Sequence, residues 1–211
     1  MVKDLVPQIH FYDQDFVDLY DRTWVWIDEV WHQGEKDGAF PEGFFTYNNS
    51  EVIDLFSASM SSLFLIYSNQ NYSPYSLIDY FYAHQSESGQ IAEKYNITTG
   101  EAVFDNDNPN GASLPLLAYV EYMFYHKIGN KKRLKEVVPY LEKYYEWMQS
   151  SFQDPNGLYR VPYSATHMGN LPREGAAYTV DYNAVMALFA LYMSNIGDIL
   201  NDKELAFRYK R

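Results

Sequence analysis

Two segments of the chain are apolar or small on nearly every helical face: "VIDLFSASMSSLFLIY" at 52–67 and "VDYNAVMALFALYMSNIGDIL" at 180–200. A helix of that kind has no side to give to water and must be covered all round. A third, "SLPLLAYVEYMFYHKIG" at 113–129, is almost as apolar. Between them lie one-sided helices. In "RLKEVVPYLEKYYEWMQSSF", Leu134, Val137, Val138, Leu141, Tyr144, Tyr145, Met148 and Phe152 recur at helical spacing with Lys and Glu opposite, and Pro139 predicts a step in the middle. The segments 13–33 and 76–85 are amphipathic as well, and a charged segment starts at 201. Trp24, Ile27 and Trp31 make an apolar stripe on the first of these, the pattern of core packing.

The alternation predicts an all-α fold, a stack of helical hairpins with buried inner helices and half-wet outer ones, in a single domain. The connections alternate too. Each buried helix leads to the next amphipathic one through a short turn, "SNQNYSP", "GNK" or "ND", whereas the return passes through a long loop, 34–51, 86–112 or 153–179. Consecutive antiparallel helices would gather those long loops at one end, and loops of such length in a compact domain are usually functional. Two of them share a punctuation, "QSESGQI" at 85–91 and "QDPNGLY" at 153–159, with a glutamine four residues before a glycine. This is an internal repeat with a period of about 68 residues, as expected of a hairpin array.

Composition narrows the function. A formal charge of −12 repels polyanions over most of the surface and argues against nucleic acid. Cysteine is absent, which removes disulfides and thiolate metal sites. The start "MVKDLVPQIHFYDQ" has no basic-then-apolar leader pattern, and no run reads as membrane-spanning, so a cytoplasmic protein without a membrane partner is expected. The 21 tyrosines suit either a core with wet edges or a groove that stacks on polar ligands such as sugars.

Residues 108–204 run in a set order: an inner helix opened by prolines, an outer helix with Trp147, then "DPNGLY", then Thr166, His167, Met168, Gly169, Asn170, Leu171, Pro172, Arg173, then Asp181, Tyr182, Asn183, Ala184 opening the next inner helix. In that order the stretch resembles the trehalase-like and mannosylglycerate-hydrolase-like glycosidases related to glycoside hydrolase family 63. The resemblance covers the first 107 residues only loosely. It implies a partial (α/α)6 toroid of about three and a half hairpins, the N-terminal part of a catalytic domain. By the same resemblance the reaction is hydrolysis of α-glucosyl or α-mannosyl saccharides by inversion, without a cofactor. Inversion needs one carboxylic acid to protonate the leaving oxygen and one carboxylate to activate water. Gly169 stands where these glycosidases carry the acid, Ser57 lies near the place of another expected carboxylate, and their base belongs to a later helix pair.

The loop 164–178 then reads as the rim of a sugar pocket, with Asn170 and Arg173 aiming donors at hydroxyl oxygens and His167 beside them. Asn170 also suits a turn, and Arg173 could equally cap a helix or pair with Glu174. Asp181 fits a helix N-cap and is also the nearest substitute for the missing acid. Tyr47, Phe45 and Tyr159 are candidates to stack on a sugar; Gln85 could touch ligand or brace its own loop. The acidic turn "FDNDNPNG" at 104–111 lacks calcium-loop spacing, and no metal site is visible. Besides a hydrolase, a non-catalytic sugar-binding or regulatory descendant and a helical scaffold for a protein partner fit the same sequence.

Overall fold

The computed structural model describes residues 6–46, 50–68, 71–166 and 178–210. Seven α-helices run along the described chain: α1 Gln14–Val30, α2 Leu55–Leu65, α3 Ser76–Ala83, α4 Leu117–Ile128, α5 Lys131–Phe152, α6 Val180–Leu200 and α7 Lys203–Arg208. Side chains that suit helix starts set several boundaries. Asp13, Asp54, Asn130 and Asp202 each accept a first-turn backbone N–H, and α4 ends on Gly129 in the left-handed region at φ 77°.

Helices α2 to α7 follow the alternation in their contacts. The apolar helices form a row, α2 on α4 and α4 on α6, while α3, α5 and α7 each lie against the apolar helix that precedes them in the chain. In α5 the predicted stripe is the buried one, with Leu134, Val137, Leu141, Tyr144 and Met148 inside, and the helix runs through Pro139 without a break. Arg133 ties three helices together. It donates to both oxygens of the fully buried Glu121 of α4, at 2.8 and 2.7 Å, and to Asp79 of α3 at 2.9 Å, with its guanidinium over the Tyr75 ring. Burial pushes the Glu121 carboxyl above its usual range although Arg133 pulls it down.

Several expectations change. The fold is mostly helical but not all-α, because the long loops carry two small antiparallel sheets. β1 (Trp31–His32) pairs with β2 (Phe44–Phe45), and β3 (Val52–Asp54) pairs with β4 (Lys94–Asn96), which pairs with β5 (Ala102–Val103). Residues 52–54, predicted as helix, are therefore strand: the Asp54 cap delays α2 to Leu55, and the backbone before it bonds to β4. The first long loop does not lie wholly at one end. It leaves α1 beside the α2–α3 connection, where Trp24 stacks on Tyr72 and Ser76 Oγ donates to the Gly43 carbonyl, and only then reaches the start of α2. Of the tryptophan stripe, Trp24 and Ile27 are buried and Trp31 is half-buried.

Helix α6 keeps one side uncovered. Val180 is 85% exposed, and Leu188 and Leu191 are exposed on the same broad face. Contrary to the sequence reading, this helix is long and apolar enough to cross a membrane, but it packs against α4, α5 and α7 and carries Asn195 and Asp198 along its length.

Candidate functional site

The strand β3 delivers Asp54 to the head of α2, where its carboxylate accepts the Ser57 N–H at 2.7 Å. Across the sheet, Asp54 lies in register with Lys94 of β4, and the Lys94 ammonium is paired with Asp105, just beyond β5. These three charged groups line a cavity of about 390 Å³ together with the hydroxyl residues Thr46, Ser50 and Ser57. Phe45, Ile53, Leu77 and Val103 complete an apolar wall. Apolar surface with a few convergent polar groups is the usual make-up of a small-molecule site. The bond to Asp105 holds the Lys94 ammonium above the ordinary lysine value, against the cost of its partial burial.

Behind the cavity the loop 104–112 is built around Asn108, which is fully buried. Its amide nitrogen donates to Glu93 Oε2 at 2.6 Å and to the Ala112 carbonyl at 2.8 Å, while its oxygen accepts the Ala112 N–H at 3.0 Å. The Asn108 N–H in turn donates to the Asp105 carbonyl. Glu93 closes the circuit, since its own carbonyl accepts the N–H of Leu55, the first residue of α2. One buried amide thus fixes both the turn that presents Asp105 and the strand that docks on α2. Burial raises the Glu93 carboxyl above its usual range, while the Asn108 bond and Lys94 pull it down. The acidic turn read from the sequence is therefore a framed loop, and among the described residues no group of three or more His, Asp or Glu is arranged to hold a metal.

Of the residues singled out from the sequence, Tyr47, Asn170, Arg173 and His167, with Gly169 and Glu174, lie outside the described residues. Gln85 commits its amide to the carbonyls of Gly89, at 3.0 Å, and Tyr140, at 2.9 Å, so it braces its loop against α5. Gln153 repeats the first of these bonds, to Gly157 at 3.0 Å, and both glycines have positive φ, 93° and 86°. The punctuation noted in the sequence is thus a repeated structural turn. Tyr159 is buried in the core, and Phe45, though buried as well, contributes to the apolar wall of the cavity. The Tyr159 hydroxyl is bonded to Tyr145 and Gln149, and Asn183 grips the Tyr159 backbone from both sides, at 2.8 and 3.1 Å.

Asp181 is not the N-cap of α6. That place belongs to Thr179, and Asp181 sits half-buried in the first turn, with an oxygen 3.0 Å from the Tyr182 N–H. A second cluster joins the two ends of the third long loop: Tyr178 donates to Asp154 at 2.7 Å, and Arg160 to the same carboxylate oxygen at 3.0 Å.

Sequence reasoning missed Asp54, Lys94 and Asp105. An aspartate immediately before an apolar helix is a capping signal that could have drawn attention to Asp54. Nothing local in the sequence brings Lys94 to Asp54; only the β3–β4 pairing does.

An uncharacterized protein of Borreliella burgdorferi is 42% identical over 213 aligned residues, covering the whole of this chain and 44% of that relative. The chain thus spans less than half the length of the curated relative it matches. No family model and no solved structure matches it.

Proposed function

We propose that the cavity at the head of α2 is a saccharide site in a glycoside hydrolase-like protein, and that the row α2–α4–α6 is part of the inner wall of a helical-hairpin toroid. The observation that carries this reading is the convergence of Asp54, Asp105, Lys94 and three hydroxyl side chains on one cavity beside the start of a row helix, between two long loops. Sugar hydroxyls both donate and accept, so a ring of carboxylates, ammonium and hydroxyls beside an apolar wall offers them complementary partners. In this reading the substrates are α-linked glucosyl or mannosyl compounds. Inversion by water needs two carboxyl groups on opposite sides of the scissile bond, and a chain of the relative's length would supply groups beyond those described.

Gly169, standing where the resembling glycosidases carry their acid, favours a second reading, a sugar-binding protein without turnover. One experiment serves both. Calorimetric titration with methyl α-glucoside, methyl α-mannoside and trehalose, alongside hydrolysis of the matching aryl α-glycosides by the protein at its natural length, separates binding from turnover. Binding that is weakened about tenfold by Asp54→Asn supports the site, because the variant keeps the cap acceptor and removes the charge. Absence of any sugar binding by a folded wild-type protein would sink both readings.

A further inference from the structure

Resting on the saccharide reading, we propose that this cavity selects uncharged sugars and rejects phosphorylated or uronic ones. Two features at its edge would ordinarily attract an anion: a lysine ammonium and the N-terminus of a helix. The protein has satisfied both internally. The Lys94 ammonium is bound to Asp105 and faces Asp54 across the sheet, and the head of α2 is capped by the Asp54 carboxylate through the Ser57 N–H. Among the described lining residues Lys94 is the one cation against two carboxylates, and the remaining polar side chains, Thr46, Ser50 and Ser57, are neutral hydroxyls. Glu93, next to Lys94 in the chain, adds a further acid behind the wall.

An incoming phosphate or carboxylate would have to displace an internal carboxylate from its donor or lie beside it unpaired. Like charges brought together in a partly desolvated site are costly, and the chain's net charge of −12 adds to the repulsion at a distance. A neutral sugar meets no such cost, since its hydroxyls can donate to the free lone pairs of the same carboxylates without disturbing the pair.

The test is competitive calorimetry at pH 7.5 and low salt with methyl α-glucoside and methyl α-mannoside against glucose 6-phosphate and methyl α-glucuronide. The neutral glycosides should bind about tenfold or more tightly than the charged sugars, with the gap narrowing as salt screens the field. Asp105→Asn, which releases Lys94, should narrow the gap further by strengthening the charged sugars. Equal or tighter binding of the phosphate or uronide by the wild-type protein overturns the selectivity and leaves the sugar site standing. Binding of none of the four removes the saccharide reading itself. Should the variant fail to fold, the wild-type comparison alone still decides.

Discussion

Asn108 shows how much one side chain can hold. The residue is fully buried and its side chain makes three hydrogen bonds, one to the Glu93 carboxylate and two to Ala112. Removing it leaves a buried carboxylate and two backbone groups without these partners, so Asn108→Ala should cost about 1–3 kcal/mol in urea denaturation and loosen the Asp105 turn. At the surface, Tyr178 and Arg160 hold the Asp154 carboxyl below its ordinary value of 3.8, the Tyr178 bond having the larger effect. A depressed folded value means that this cluster's contribution is present above pH 3.8 and is lost as pH falls through the folded value. Carbon-detected titration should find Asp154 below 3.8, and Tyr178→Phe should move it upward. The sequence made the residues of the long loops conspicuous but not their duties: Gln85 and Tyr159 looked like ligand contacts, and both serve the frame.

At the scale of elements, helix order was legible because periodicity is local, whereas several boundaries lie three or four residues inside the predicted ones, as at Leu55 and Leu117. Segment 180–200 is read from the sequence to the residue, and the buried stripe of α5 is the one its spacing gives. The strands were not legible, since β1, β2 and β5 have two residues each and β3 and β4 three, too short for any alternation to register. Helix contacts also depend on residues that a hydrophobic pattern passes over. Gly197 of α6 lies so close to α7 that a Cβ there would be 2.8 Å from the Ala206 Cα. Backbone on backbone cannot give way as a flexible side chain can, so Gly197→Ala should destabilise by about 1–3 kcal/mol and part α7 from α6, seen as a lower midpoint in thermal unfolding.

For the molecule as a whole, Arg133 joins α3, α4 and α5 through one guanidinium, on a side chain 11% exposed. Arg133→Met strands Glu121 in the core and should cost about 3–5 kcal/mol, whereas Arg133→Met with Glu121→Leu should recover much of that loss in the same denaturation assay. The row of apolar helices was legible because each element's own pattern implied it, while the cavity was not, because its walls come from segments remote in sequence. That remoteness has a further consequence. Val52 and Asn96 are ladder partners although the whole of α2 and α3 separates them, so the intervening chain must fold back before the ladder can close. The pocket should therefore close late as each new molecule folds. A ligand that fills it should slow deuterium uptake at Ile53 and Tyr95 well before it alters exchange in the middle of α5.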